Sequence, residues 1–346
     1  MVNVKNPISA MQAESVADRL FYLDALRAVA IFFVVWHHAI PYAHDENVLT
    51  SQAHFFLQLI DPGVAFFFLA DGFLFARHLN RQPSFQYGDY LRKSAWRLLL
   101  PWLLFTTAYC LLRAIFEYAG LFTSYLLIGR PLNDILILFF FKSFQMYFLM
   151  SLFFIRALSP FTRHLAVKDG GRKALFATVL YILLLNTSSF ELGSDSVTSA
   201  VAGLQYYLLG ILYFHLDVVL RRLAMPIALA CLLGYGIMVA LEVRGLVPES
   251  AKIVAKLAAM TANYALYLSL IRCKGLLVRL GQHTMQVYLL HSPVLLFGVA
   301  LVLKRVVAGP LALHLGITVV TFFGALAVGL LIYRIPKGRI VFGERV

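Results

Sequence analysis

The chain of 346 residues is 61% hydrophobic and only 14% charged, with a mean hydropathy of +0.79. That composition excludes a water-soluble globular fold, which would leave far more of its surface polar. The net charge of +13 does not point to nucleic acid, because the cations form no compact basic tail and acquire meaning only on a membrane topology.

Residues 1–19 are polar and mixed in charge, and are expected to form a cytoplasmic N-terminal segment. Apolar stretches able to cross about 30 Å of hydrocarbon follow. They fall near 20–41, 55–76, 97–117, 144–162, 174–190, 198–215, 223–242, 252–271, 283–303 and 310–333. This pattern predicts an all-α polytopic membrane protein, about ten transmembrane helices in one bundle over 20–333, with a cytoplasmic tail over 334–346. The first stretch ends in His37, His38 and Pro41 without a small-residue cleavage site, so it reads as an uncleaved span. With the N-terminus inside, most of the 30 basic residues fall in inward segments, such as Arg77, Arg81, Arg92 and Lys93. The outward loops carry His44-Asp45-Glu46 and Glu242 with Glu249, so positive-inside bias places both termini in the cytoplasm. Lys304-Arg305 breaks the pattern.

Between the third and fourth spans, Leu121–Ile128 and Ile135–Phe141 are apolar but too short to cross, and are expected to be interfacial or re-entrant. No fixed-period repeat appears, and no appended soluble domain is expected. Cys110, Cys231 and Cys273 show no metal-ligand spacing, so neither disulfides nor a metal site is expected.

Arg27 and His38 lie inside the first apolar helix. An ionisable side chain at bilayer depth costs about 2.5–3.5 kcal/mol on insertion scales, so both are expected to face protein or water. Eleven residues of helix leave them about 20° apart around the axis and about 16 Å apart along it. One stripe thus carries a permanent cation towards one membrane face and an imidazole towards the other. Histidine is the usual general base near neutral pH, which makes His38 a candidate base. His37 points about 100° away.

The segment Tyr22-Leu23-Asp24-Ala25-Leu26-Arg27, continuing to Val34-Val35-Trp36-His37-His38, resembles the first-helix signature of the acyltransferase-3 family of membrane acyltransferases. Gly63-Val64-Ala65-Phe66-Phe67-Phe68 with Gly72-Phe73-Leu74 is similar to that family's second-helix motif, and Tyr90-Leu91-Arg92-Lys93 with Arg97 and Pro101 to the basic entry of its third. Leu280-Gly281, Thr284, Tyr288-Leu289-Leu290 and His291-Ser292-Pro293 resemble its late-helix motif. The resemblance implies transfer of an acyl group, most often acetyl, from cytosolic acyl-CoA to a hydroxyl of a cell-surface or exported glycan or lipid-linked sugar. It implies a catalytic role for His38 and Arg27, and donor binding by Arg92, Lys93 and Arg97. His291, at the depth of Arg27, and Tyr288, one turn earlier, are expected to share a cavity with Arg27 and to bind the donor there.

Asp24 and Asp71 are the carboxylates available for ion pairing. Asp71 lies at a depth similar to Arg27 and is expected to pair with it; it also departs from the family, which usually has a small hydroxyl residue there. Asp61-Pro62 reads as a helix start with a capping carboxylate. His291 can alternatively be a capped polar group beside the kink made by Pro293. The basic residues between the second and third helices suit coenzyme phosphates, although positive-inside topology alone predicts them too. No Gly-rich phosphate fingerprint supports nucleotide hydrolysis.

The reading is a membrane O-acyltransferase, multi-pass in a bacterial inner membrane, with acyl-CoA as donor and no metal or nucleic acid. The alternatives are a transporter or flippase of a glycan or lipid-linked precursor, and a non-enzymatic partner in polysaccharide export.

Overall fold

The computed structural model describes residues 21–43, 63–82, 84–120, 126–142, 146–187, 195–244, 246, 258, 261–262, 264–265 and 275–344. These are helical throughout, with no strand among the described residues. In chain order the helices are α1 (Phe21–Ala43), α2 (Gly63–Arg81), α3 (Tyr87–Tyr118), α4 (Leu132–Ile137), α5 (Tyr147–Ala157), α6 (Ser159–Ala166), α7 (Gly171–Thr187), α8 (Ser196–Arg222) and α9 (Ala224–Val243). The series ends with α10 (Leu276–Gln282), α11 (Thr284–Leu290), α12 (Leu296–Leu303) and α13 (Pro310–Arg334). Among the described residues, five helical stretches are long and apolar enough to cross a membrane: Phe21–Ala43, Tyr87–Tyr118, Ser196–Leu220, Thr284–Leu303 and Pro310–Arg334. The expected span at 252–271 lies almost wholly outside the described residues, as do Asp61 and Cys273.

Helix α3 begins at Tyr87, not at the apolar entry near 97 that hydropathy suggests. Its first turns are polar yet helix-forming: Asp89 opposes the N-terminal dipole and accepts from Arg92 at 3.1 Å one turn on. The basic residues expected on a loop therefore stand on the helices α2 and α3. Helix α5 stops at Ala157, because Pro160 sits in the first turn of α6 and cannot extend the helix before it. The late span is broken as Pro293 predicts: a π-helical turn, His291–Leu295, joins α11 to α12, with Ser292 at φ −135°, ψ 150°.

Glycines allow backbones to touch where the site is assembled. A Cβ on Gly72 of α2 would lie 2.0 Å from the Tyr207 carbonyl oxygen, and one on Gly210 of α8 2.0 Å from that of Leu69. Such close approach replaces the missing hydrophobic drive between helices in lipid. Gly281 similarly presses α10 against the start of α1, where a Cβ would meet the Asp24 carbonyl oxygen at 1.7 Å. From that contact α10 and α11 run alongside α1 in the same direction, and His291 comes level with His38. Helix α13 returns antiparallel, with His314 Nε2 3.0 Å from the Trp36 carbonyl oxygen near its start and Gly329 against Gln286 near its end.

The core is aromatic, with Phe66, Phe68, Phe73, Tyr206, Tyr207 and Tyr264 fully buried. Helices α7 and α9 expose Leu183, Leu184, Leu229 and Leu233, apolar faces suited to lipid. In the 118–143 stretch, the buried Glu117 carboxylate accepts from the backbone N–H groups of Leu126, Leu127 and Ile128 at 2.8, 3.0 and 3.1 Å and from Arg113 Nε at 2.6 Å. That clasp holds the connection leading to α4, whose six residues are too short to span and expose Leu132, Leu136 and Ile137.

Candidate active site

His38 Nδ1 and His291 Nε2 are 2.8 Å apart, with the rings within 5° of parallel. His291 is 1% exposed, and its Nδ1 lies 3.0 Å from the Val287 carbonyl oxygen and 2.8 Å from that of Tyr288. A carbonyl only accepts, so the hydrogen-bond pattern assigns the proton of neutral His291 to Nδ1 and leaves a lone pair on Nε2. That lone pair takes the Nδ1–H of His38. The free nitrogen of His38 is therefore Nε2, an unprotonated base.

The helix break next to this pair is supported from α3. Pro293 has no N–H to return to the Leu289 carbonyl four residues earlier. The Tyr109 hydroxyl donates to that carbonyl instead.

A cavity of about 620 Å³ lies beside the pair. It runs from the exposed Gln82, Ser84, Gln86 and Asp89 to the buried Phe148, Leu149 and Tyr288. Its wall carries Arg27, Lys93, Arg97 and Arg156 together with Asp24, Asp71 and Glu344. Arg27 Nη1 is 3.5 Å from Asp24 Oδ1. The expected Arg27–Asp71 pair is not formed. Arg156 takes Asp71 from both sides, Nε donating to Oδ2 at 3.0 Å and Nη2 to Oδ1. The reason is reach: Asp71 faces α5, and Arg156 in the last turn of α5 presents a guanidinium fork to it, while Asp24 lies three residues from Arg27 on its own helix.

Lys93 and Arg97, one turn apart on α3, stand within 4 Å of no carboxylate among the described residues. Arg97 is further held at the C-terminal end of the chain. Pro101 frees its carbonyl, and Gly343, at φ 75°, packs where any Cβ would meet that oxygen at 2.5 Å.

The structure thus brings Arg27, Lys93, Arg97, Tyr288, Asp24 and Asp71 to one cavity and pairs His38 with His291. Two expected donor-binding residues are placed elsewhere. Arg92 is exposed outside the cavity and pairs with Asp89, because its position on α3 points it away from the wall. His291 does not line the cavity either; its ring is turned to His38 and its Nδ1 to the carbonyls of Val287 and Tyr288. Arg156, Ser94 and Gln286 are cavity residues that sequence reasoning passed over. For Arg156 the available signal was a cation in an apolar segment with Asp71 in need of a partner. Among the described residues, no group of three His, Cys, Asp or Glu side chains is placed to hold a metal ion.

Five helical stretches long and apolar enough to cross a membrane, with a cavity lined from α1, α2, α3, α5, α10 and α11, are the architecture of a multi-pass membrane protein. Residues 20–334 match the acyltransferase-3 family, described as an acyltransferase domain, and the chain belongs to that family of membrane acyltransferases. No curated protein and no solved structure matches the chain.

Proposed function

We propose that the protein is an O-acyltransferase of a bacterial inner membrane. It has ten spans with both termini cytoplasmic, and moves an acetyl group from cytosolic acetyl-CoA to a hydroxyl of an exported glycan or lipid-linked sugar. The observation that carries the reading is the hydrogen-bond chain from the Val287 and Tyr288 carbonyls through His291 to His38, which leaves His38 Nε2 ready to accept a proton. In the reaction, Nε2 takes the proton of the acceptor hydroxyl as its oxygen bonds to the thioester carbonyl carbon. The carbon–sulfur bond then breaks, and the coenzyme leaves as a thiolate that is reprotonated. Lys93 and Arg97 supply cations to the coenzyme phosphates from the cavity wall, and Arg27, on the stripe that carries His38, polarises the thioester carbonyl.

The test uses detergent-purified protein with labelled acetyl-CoA and an envelope glycan fraction as acceptor, following transfer of label. His38→Ala is expected to lower transfer by about 10²–10⁴-fold, the range of general-base contributions, while it folds and inserts normally. Normal turnover by that variant removes His38 as base. A wild-type protein that leaves acetyl-CoA untouched while moving glycan across vesicles would instead be a transporter.

A further inference from the structure

We propose that Arg156, aimed by Asp71, binds the uncharged, amide-bearing pantetheine arm of the acyl donor, in a subsite distinct from the phosphate cations Lys93 and Arg97. This rests on the acyl-CoA reading above. The guanidinium of Arg156 has five N–H donors in a fixed fork. The Nε and Nη2 edge is taken up by the two oxygens of Asp71, and Nη1 has only a 3.5 Å contact with Ser94 Oγ. Arg156, Asp71 and Ser94 all line the cavity, so the spare N–H groups belong to a rigid donor at its wall.

Charge decides what that donor suits. Asp71 already balances Arg156, so a phosphate placed there meets a neutral pair and gains little Coulomb energy, whereas an amide carbonyl needs only an oriented N–H. Lys93 and Arg97 stand within 4 Å of no carboxylate among the described residues and so keep more of their attraction for anions. Position agrees. Asp71 is one helical turn from Phe67, which lines the cavity with Phe148 and Tyr288 at its buried end, while Lys93 is exposed. The aspartate that departs from the family's small hydroxyl residue is thus a positioning residue that turns a cation into an oriented, charge-neutral hydrogen-bond donor.

The experiment compares thiol release, with the envelope glycan fraction as acceptor, from acetyl-CoA and from acetyl-pantetheine, which has the same arm and no nucleotide phosphates. Removing one partner of a buried pair strands the other charge, so the pair is removed together as Asp71→Ser with Arg156→Leu. Arg156→Lys, which keeps the charge opposite Asp71 but loses the fork, is the second variant. Both are expected to raise KM about tenfold for both donors, the worth of one good hydrogen bond, with kcat near wild type. Lys93→Ala with Arg97→Ala is expected to raise KM for acetyl-CoA alone. Wild-type KM for acetyl-pantetheine in both Arg156 variants would make the pair structural only. A rise confined to acetyl-CoA would assign Arg156 to the phosphates, and either result overturns the proposal. If wild-type protein releases thiol from neither donor, the acyl-CoA reading fails and takes this inference with it.

Discussion

His291 separates two roles that a lone histidine beside a cavity would confuse. Its Nδ1 is tied to two carbonyls and its Nε2 to His38, so it orients the base instead of touching the donor. His291→Ala removes the acceptor for the His38 Nδ1–H and lets that ring rotate or change tautomer. The expected outcome is a fall in kcat of about 10²-fold or more with KM for acetyl-CoA little changed. His291→Gln, whose side-chain oxygen can accept the same N–H, should recover part of the rate and keep the same pH profile. A rise in KM without a fall in kcat would return His291 to the donor-binding set. At this scale the sequence was most informative about His38 and Arg27, because helical period alone puts two costly ionisable groups on one stripe. It was least informative about partners. Depth along two helices made Arg27 and Asp71 look matched, but rotation about each axis decides which carboxylate a guanidinium meets. Asp71 faces α5, whose place beside α2 is a tertiary fact.

At the level of elements, glycine placement decides which helices can carry the site. Gly210 and Gly72 let α8 and α2 touch through backbone atoms, and α2 in turn presents Asp71 to Arg156. Gly210→Ala would put a methyl group 2.0 Å from the Leu69 carbonyl oxygen, so the helices must part. The expected cost is about 1–3 kcal/mol, read as a lowered thermal unfolding midpoint in detergent. Gly236→Ala on α9 is the control: a Cβ there meets nothing within 4 Å, and alanine restores helix propensity, so its midpoint should hold or rise. Equal midpoints for the two variants would show that the α2–α8 contact is not tight. Hydropathy located apolar segments but misjudged the ends of α3 and α5. Polar helical turns such as Tyr87–Trp96 are silent in an apolar window, and Pro160 is read only when capping is considered alongside hydropathy.

On the scale of the whole molecule, the cavity and the histidine pair are neighbours, but neither histidine belongs to the cavity's lining. The cavity is lined at its buried end by Phe67, Phe148 and Tyr288. Phe148 meets Tyr288 with ring centroids 5.6 Å apart and Phe67 at 5.6 Å, so three aromatic rings in mutual contact line that end of the cavity, and Tyr288 in turn lies 6.1 Å from the His291 ring. Of Arg27 and His38 on their shared stripe, Arg27 alone thus meets the cavity, and the buried end of the cavity is built by side chains from α2, α5 and α11, whose meeting no single-helix periodicity can foresee. Tyr288 ties the two regions together: its ring faces the cavity, and its carbonyl holds the proton on His291 Nδ1. Aromatic rings packed edge to face are displaced at a cost of about 0.5–1.5 kcal/mol per pair beyond burial, small enough for substrate binding to offset. In the proposed reaction, such a wall would keep water and donor apart from His38 until an acceptor is present. Phe148→Ala should breach it, raising acceptor-independent hydrolysis of acetyl-CoA by about tenfold, since the packing of the Phe148 ring on Phe67 and Tyr288 amounts to roughly 1.4 kcal/mol. The Phe148→Ala and His38→Ala combination should return hydrolysis to the wild-type background, because the leak depends on the same base. Hydrolysis unchanged by Phe148→Ala, or a leak that persists without His38, would mean that the donor reaches its acceptor by another route.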